Sequence, residues 1–243
     1  MKLVTLNTWG KCGPYKERWE YFLRKLGNLS PDILCLQEVM DDELTKLLRN
    51  NLGFNHLASA YGAGLLMLSR FPIDKSNVLD YQHRSPSEIN YERKAIITKM
   101  KIDKKDLVIA NTHLAWREED RPTRNGQVKE LLETVKKMGF PSIICGDLND
   151  IPESSPLEAT MTADYENLIQ RFHPDIITWD NNNPFIQTHS VRFPDRQIDY
   201  ILIHESVSKI LNADSCRRCF DQPNEKLIYP SDHYGVTAEF SNR

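Results

Sequence analysis

Seven polar residues of this sequence each stand at the end of an apolar stretch. They are Asn7, Glu38, Asp147, Asn149, Asp199, Asp232 and His233. Any one of them alone is most simply a capping or turn residue. A carboxylate so close to a core is otherwise paired or coordinating a cation, so the recurrence of this placement predicts a shared site.

The types of these residues indicate hydrolysis of a phosphate ester. His233 follows Asp232 directly, and Asp199 belongs to a separate apolar segment. A histidine with one carboxylate to orient it and another to hold a metal supplies both a base and an electrophile. Oxygen-rich ligands favour Mg²⁺ or Mn²⁺ over Zn²⁺. Either His233 or Asp147 could accept the proton of the attacking water.

The elements that position these residues alternate between strand and helix patterns. Helical spacing predicts helices from Tyr15 to Leu29, ending at Ser30-Pro31, and from Val128 to Met138, ending at Gly139. Asp41-Asp42 is expected to open a short helix through Leu48. Apolar runs predict strands at 3–8, 33–39, 64–69, 94–100, 107–113, 141–149 and 198–203, with 101–106 as a hairpin connection. This order predicts an α/β sandwich of two sheets whose strand ends converge on one cleft.

Composition and charge limit the class of protein that the sequence can encode. With 243 residues, 40% hydrophobic and 27% charged, the sequence predicts a single domain over 1–243, without linkers or repeats. No signal peptide is recognisable at the N-terminus, so a cytoplasmic location is the default expectation, with secretion without a leader still open. A net charge of −3 provides no general basic field, although a local one for nucleic acid is permitted.

The five cysteines do not indicate a disulfide framework. Their number is odd, and Cys35 and Cys145 lie in apolar strand-like runs where a buried thiol is ordinary. Cys216 and Cys219 have the spacing of a zinc or redox pair, but no second pair accompanies them. A non-catalytic module that binds a partner through these two cysteines is the alternative from a different functional class.

Seven motifs occur in order along the chain and carry a family resemblance. They are Leu6-Asn7-Thr8-Trp9, Leu36-Gln37-Glu38-Val39, Ser69-Arg70-Phe71-Pro72-Ile73, Asn111-Thr112-His113-Leu114, Gly146-Asp147-Leu148-Asn149, Gln197-Ile198-Asp199-Tyr200-Ile201 and Ser231-Asp232-His233-Tyr234. Together the motifs resemble those of the endonuclease/exonuclease/phosphatase superfamily of deoxyribonuclease I-like phosphoesterases. The resemblance implies a four-layer sandwich of two packed mixed β-sheets flanked by helices. It also implies a magnesium-dependent phosphoesterase, most simply a phosphodiesterase.

The resemblance implies a metal side and a water side of the cleft. Glu38 would hold magnesium, with Asn7 beside it and Asp232 on the opposite side. Asp147 and Asn149 would orient the attacking water or contact the phosphate, and could assist a second metal.

The resemblance also implies which residues handle the proton and the phosphate. His233 would be the catalytic histidine, and Asp199 would accept its other N–H and so fix its tautomer. His113 would donate to a phosphate oxygen, with an ordinary strand-end histidine as the alternative. Arg70 and Arg93 are weaker candidates for binding the substrate phosphate, and Arg70 could instead be a structural ion-pair residue.

The sequence is compatible with two kinds of substrate, a nucleic acid or a phospholipid head group. The segments Thr178-Trp179-Asp180 and Phe193-Pro194-Asp195 are similar to the sphingomyelinase branch. The simpler interpretation is that Trp179 packs under the floor of the site and that 181–183 is a solvated loop. Trp116 could stack on a base. Scattered arginines offer possible phosphate contacts, namely Arg117, Arg121, Arg124, Arg192, Arg196, Arg217 and Arg218.

Overall fold

The computed structural model describes residues 1–40 and 42–243. Its helices are α1 (Tyr15–Leu29), α2 (Glu43–Leu52), α3 (Arg121–Met138), α4 (Ser155–Thr162) and α5 (Leu168–Phe172). Its strands are β1 (Lys2–Asn7), β2 (Ile33–Gln37), β3 (His56–Ala60), β4 (Leu65–Ser69), β5 (Ile73–Asp80), β6 (Lys94–Ile102), β7 (Lys105–His113), β8 (Ser142–Asp147), β9 (Tyr165–Asn167), β10 (Asp199–His204), β11 (Leu211–Cys219) and β12 (Gly235–Asn242).

These strands form two six-stranded mixed sheets. The first has the order β11-β12-β1-β2-β4-β3 and the second the order β5-β6-β7-β8-β10-β9. The parallel pairs are β1 with β2 and β7 with β8, and a helix connects the strands of each pair, α1 in the first and α3 in the second. The predicted two-sheet α/β sandwich is confirmed.

Three apolar layers hold the four-layer arrangement together. Between the sheets, one core contains inward side chains such as Leu3, Ile109 and Ile201. A second lies between the first sheet and helices α1 and α2, and a third between the second sheet and helices α3 and α4. Strands covered on both faces read as continuous apolar runs, which is why the central strands were recognisable from sequence.

The predicted helix ends are confirmed, and one hairpin is tighter than expected. Helix α1 ends at Ser30 and α3 at Gly139, both in the left-handed conformation that stops a helix. The predicted connection 101–106 is mostly strand, because Ile102 pairs with Lys105 and leaves only a two-residue turn. Helix α2 begins at Glu43, directly after Asp42. The other residue expected to open it, Asp41, lies outside the described residues.

Five strands were not anticipated from the sequence. They are β3, β5, β9, β11 and β12. Strand β5 is a sheet edge with mostly exposed residues, so it lacks the apolar run that marks a buried strand. Strand β12 adjoins β1 and fixes the position of the preceding Asp232-His233 pair at the centre of the first sheet.

Within the described part of the chain, no helix combines the length and the apolar character needed to cross a bilayer.

Candidate active site

The ends of six strands meet at one edge of the sandwich and carry the predicted site residues there. Asn7, His113 and Asp147 are the last residues of β1, β7 and β8. Glu38 follows β2, Asp199 begins β10, and Asp232-His233 precede β12. Because β10 and β12 run antiparallel to their neighbours β8 and β1, their starts lie beside the ends of those strands. Residues of both sheets therefore line one cleft of about 250 Å³.

The side chains of Asn7 and Asp147, at the ends of β1 and β8, are each held by a hydrogen bond from a backbone N–H two residues further along the chain. The Asn7 Oδ1 atom accepts a hydrogen bond from the Trp9 backbone N–H at 3.0 Å, and Asp147 Oδ1 accepts from the Asn149 N–H at 2.9 Å. Such bonds to a backbone two residues on are typical of Asn and Asp in turns. Trp9 (φ 55°), Glu38 (φ 60°) and Asn149 (φ 54°) all adopt positive φ. Strained backbone of this kind concentrates at functional sites.

The side-chain amide of Asn7 joins the two sheets at the cleft. Its Nδ2 donates to Glu38 Oε1 at 2.9 Å and to Asp147 Oδ2 at 3.0 Å. One amide group thus holds two carboxylates from different sheets close together. Asn7 and Asp147 are buried and Glu38 is half-buried.

His233 lies between two aspartates. Its Nδ1 is 3.0 Å from Asp199 Oδ2, and its Nε2 is 3.8 Å from Asp147 Oδ2. Asp199 is fully buried, and its backbone N–H donates to Thr178 Oγ1 at 3.1 Å. The expected contact between Asp199 and His233 is present, so the ring is held with Nε2 toward the cleft.

His113 approaches Asp147 from the next strand. The distance between His113 Nε2 and Asp147 Oδ2 is 3.3 Å. Asn149 lines the cleft nearby and donates from Nδ2 to the Leu114 carbonyl at 3.0 Å. Asp147 thus stands where the two histidines and the Asn7 amide converge.

Asp232 is occupied by protein donors on both oxygens. Its Oδ1 accepts from Ser231 Oγ and from the His233 N–H, and its Oδ2 lies 2.9 Å from His189 Nε2. Asp232 is buried and borders the cleft. A cation here would have to share or displace the contact with His189.

Burial and like charge shape the electrostatics of the carboxylates. Burial raises the pKa of Glu38, and the negative charge of Asp232 adds to the shift. Burial also raises the pKa of Asp147 to about 7, with Asp199 acting in the same direction. Burial opposes ionisation of Asp232 as well, but His233 and His189 outweigh it and lower its pKa. The cleft thus concentrates negative charge that a cation would stabilise.

Two of the cleft histidines have pKa values that are shifted in opposite directions. Burial would lower the pKa of His233, but the surrounding Asp199, Asp232 and Asp147 outweigh it and raise the pKa well above the usual value. Burial lowers the pKa of His113, and the positive charges of Arg93 and His233 lower it further. The cleft therefore favours the neutral ring of His113, whereas the carboxylates around His233 would stabilise the imidazolium that forms when this ring takes up a proton.

The two arginines proposed as phosphate ligands lie in different places. Arg93 borders the cleft, with Nε and Nη2 bonded to Glu88 at 2.9 and 2.7 Å. The prediction for Arg70 is wrong: its guanidinium bonds to Pro31 O, Ser30 Oγ and Leu52 O. Arg70 follows Ser69, which pairs with the first residue of β2, so it lies at the opposite sheet edge from Glu38. Among the described residues the partners of its guanidinium are neutral, which also contradicts the alternative of a structural ion-pair residue.

Several cleft residues were not recognised from sequence. His189 contacts Asp232 and packs beside Trp9 and Trp179, at ring centroid distances of 5.8 and 5.2 Å. It stands in an irregular segment with no apolar run before it, so the strand-end signal could not identify it.

Trp179 is buried beside His233 at 5.1 Å, as the packing interpretation expected. The expectation of a solvated loop is wrong for Asn183, which is buried and donates to the carbonyls of Ser231 and Asp232.

The cysteine pair takes no part in the cleft. Cys216 belongs to the core between the sheets, whereas Cys219 belongs to the core beneath α1 and α2. They therefore point to opposite faces of the first sheet and are both buried. This geometry contradicts the alternative of a partner-binding surface formed by Cys216 and Cys219.

One group of side chains is close enough to share a metal ion. Ligand atoms of Asp147, Asp199 and His233 all lie within 4.8 Å of one another. Glu38 lies next to this group through the Asn7 amide. A set dominated by buried carboxylates suits a hard divalent cation, and such a cation would favour ionisation of Glu38 and Asp147, whose pKa values burial raises.

This fold and this site define a known class of hydrolase. The sequence model of the Endonuclease/Exonuclease/phosphatase family matches residues 4–233, and the chain belongs to that family. It is a metal-dependent phosphoric ester hydrolase.

Individual proteins and solved structures resemble the chain over most of its length. The chain is 26% identical to protein angel of Drosophila melanogaster, over 93% of this chain and 72% of that protein. It is 24% identical to the 5'-tyrosyl-DNA phosphodiesterase of Caenorhabditis elegans, over 88% of this chain and 59% of that protein. Angel homologues of vertebrates are longer, and the chain spans 30% or less of them. Among solved structures, D. rerio TDP2 complexed with a single-strand DNA product superposes with a TM-score of 0.83 at 16% identity, covering 99% of this chain and 98% of that one.

Proposed function

We propose that the chain is a Mg²⁺-dependent phosphodiesterase in which His233 and Asp199 activate the attacking water. The observation that carries the proposal is the arrangement of His233, with Nδ1 held by Asp199 and Nε2 facing Asp147 in the cleft. In such a pair the carboxylate fixes the tautomer and stabilises the imidazolium as the ring takes a proton.

Glu38 and Asp147 are the residues that we expect to hold the cation. Both border the cleft and share the Asn7 amide. Asp199 is close to Asp147 but is bonded to the His233 ring, so its role in the proposal is to orient that ring. Asp232 would contribute negative charge from the opposite wall. When bound, Mg²⁺ supplies positive charge that offsets the charge developing on the phosphate oxygens.

Side chains of the protein accept the proton of the attacking water and contact the phosphate oxygens. His233 Nε2 accepts the proton of the attacking water, and Asp147, 3.8 Å away, helps to orient that water. His113, kept neutral by burial and by nearby positive charge, donates an N–H to a phosphate oxygen. Asn149 and Arg93 lie on the cleft wall, where they can contact the other phosphate oxygens.

Hydrolysis of bis(p-nitrophenyl) phosphate with Mg²⁺ tests the proposal. We expect Glu38→Gln and His233→Ala each to lower kcat by about a hundredfold or more, since a general base alone contributes roughly 10²–10⁴-fold. EDTA should abolish the activity of the unmodified protein. Hydrolysis unaltered by both substitutions would show that this is not the active site. His56→Ala, a change on the edge strand β3, provides the matched histidine control.

A phospholipid phosphodiesterase is the second candidate, and one observation favours it. Met40 and Tyr91 border the cleft and are 50% and 59% exposed, and the neighbouring Ile89 is 87% exposed. Exposed apolar side chains beside a cleft can insert into a lipid surface. Sphingomyelin vesicles tested beside DNA and RNA substrates distinguish this candidate, because Ile89→Ser would lower activity on vesicles only.

A further inference from the structure

Two buried N–H donors on the cleft wall have no acceptor in the described part of the chain. They are Nε of Arg196 and Nε1 of Trp179. Both residues border the cleft. Buried donors are nearly always satisfied in folded proteins, and an unsatisfied one is costly. Two such donors beside an active site indicate an acceptor supplied by the substrate.

The backbone places these donors on one face. Arg196 and Trp179 form an isolated antiparallel bridge, with each backbone N–H donating to the other's carbonyl at 3.0 Å. Residues directly opposite in such a bridge project their side chains to the same side. The indole and the guanidinium therefore lie on the same side of the bridge, and both residues line the cleft.

Arg196 differs from Arg93 in its charge balance. Arg93 is neutralised by Glu88 through two hydrogen bonds, whereas no described carboxylate forms an ion pair with Arg196. The Arg196 guanidinium instead lies 3.9 Å from the centre of the Phe193 ring. Stacking fixes the plane of the guanidinium and leaves its N–H groups free for an anion, a geometry that suits phosphate. Burial lowers the pKa of Arg196, and the negative charges of Asp147, Glu118 and Asp150 act in the opposite direction without forming an ion pair with it.

A row of aromatic rings extends from His233 along the cleft wall that includes Arg196. The Trp179 ring packs edge-on against His233 at 5.1 Å and lies 6.4 Å from Phe193, which in turn lies 6.4 Å from Trp116. Phe193 and Trp116 are partly exposed. Because Arg196 stacks on Phe193, an anion bound to its guanidinium would lie beside this row of rings. The positive charge of Arg196, which no ion pair neutralises among the described residues, would repel the quaternary ammonium of a phosphocholine head group.

We propose that Arg196, backed by Phe193 and assisted by the indole N–H of Trp179, binds a second phosphate group of the substrate, next to the one that is hydrolysed. The preferred substrate is then a nucleic acid strand and not a phosphocholine lipid. This inference rests on the proposed phosphodiesterase function of the same cleft.

Steady-state kinetics on three substrates test the inference. They are bis(p-nitrophenyl) phosphate, which has one phosphate, a short oligothymidylate, which has several, and sphingomyelin vesicles. The variants are Arg196→Ala, Arg196→Lys and, as a control, Arg171→Ala, whose guanidinium forms an exposed pair with Glu166 on the surface. All are assayed with Mg²⁺ over a range of salt concentrations, and melting temperatures show whether each variant is folded.

We expect Arg196→Ala to lower kcat/KM for the oligonucleotide about tenfold or more beyond its effect on the single-phosphate ester, mainly through KM. The salt dependence of kcat/KM should become shallower by about one phosphate contact. Arg196→Lys should recover part of the loss, because it keeps the charge without the planar fork. If Arg196→Ala does not fold, Arg196→Lys is compared with the unmodified protein on the same substrates instead. Arg171→Ala should resemble the unmodified protein.

Three results would overturn the inference while the proposed function stands. Equal losses on the oligonucleotide and the single-phosphate ester would place Arg196 at the hydrolysed group. No loss on the oligonucleotide would remove Arg196 from substrate binding. Faster hydrolysis of sphingomyelin vesicles than of the oligonucleotide by the unmodified protein would assign the cleft to lipid. Absence of hydrolysis of all three substrates would instead refute the proposed function itself.

Discussion

At the scale of single residues, the chemistry depends on one imidazole ring and the carboxylates around it. Asp199 is buried, so its charge acts on His233 at 3.0 Å with little screening by water. That charge raises the pKa of His233 against the effect of burial. Removing the charge while keeping the shape of the side chain therefore isolates its contribution.

Asp199→Asn is expected to lower kcat by about 10²–10⁴-fold, because the ring loses both its fixed tautomer and the stabilisation of its protonated form. Loss of the carboxylate charge also lowers the pKa of His233, so the inflection of kcat that follows this group should move to lower pH. The measurement is a pH profile of kcat beside that of Asp175→Asn, which removes an exposed acid. An unshifted inflection in Asp199→Asn would contradict the pairing.

At the scale of elements, the site depends on close contact between β7 and β8. Gly146 precedes Asp147 and adopts a φ of +133°, and a Cβ atom there would come within 2.0 Å of the Thr112 carbonyl oxygen. Only glycine allows the two strands to approach so closely that His113 and Asp147 meet. The parallel pairing of His113 with Asp147 shows how directly this contact aligns the two side chains.

Gly146→Ala is expected to destabilise the protein by more than Gly139→Ala, and also to lower activity. Both glycines have positive φ, but a Cβ at Gly139 meets nothing within 4 Å, so that control reports only the backbone cost of roughly 1–2 kcal/mol. The free energies of unfolding of the two variants in urea provide the comparison. Equal losses would mean that β7 and β8 can separate without cost.

At the scale of the whole molecule, ionisation of a buried carboxylate in the cleft is expected to lower the free energy of unfolding. Asp147 has a pKa of about 7 in the folded protein, well above that of an unfolded aspartate. A raised folded-state pKa means that folding favours the protonated form. The stability from that protonated form is complete at low pH and is lost as the pH rises toward 7.

Without divalent cations, the melting temperature of the protein is thus expected to fall from pH 5 to pH 8 more than that of Asp147→Asn. Addition of Mg²⁺ should raise the melting temperature more at pH 8 than at pH 5, because a cation binds the ionised carboxylates of the native state. Calorimetry in EDTA and in Mg²⁺ measures both effects. The same pH dependence in both proteins would exclude Asp147 as its source.

The sequence by itself determined the central strands, the two long helices and the polar residues at strand ends. A strand buried on both faces must be continuously apolar, so a polar residue such as Asp147 or Asn7 marks its end to within about two residues. The order of the motifs also indicated the family. Edge strands such as β5 lacked this signal because one face is solvated.

Only the tertiary structure decided which polar residues meet. Arg70 stands in a family-like motif but lies at the far edge of the sheet, because the antiparallel direction of β4 carries its end away from the cleft. His189 and Arg196 come from irregular segments, so no local periodicity reports that they face the cleft. Their positions follow from contacts with Asp232 and Trp179, which are distant along the chain and are brought close only by the fold.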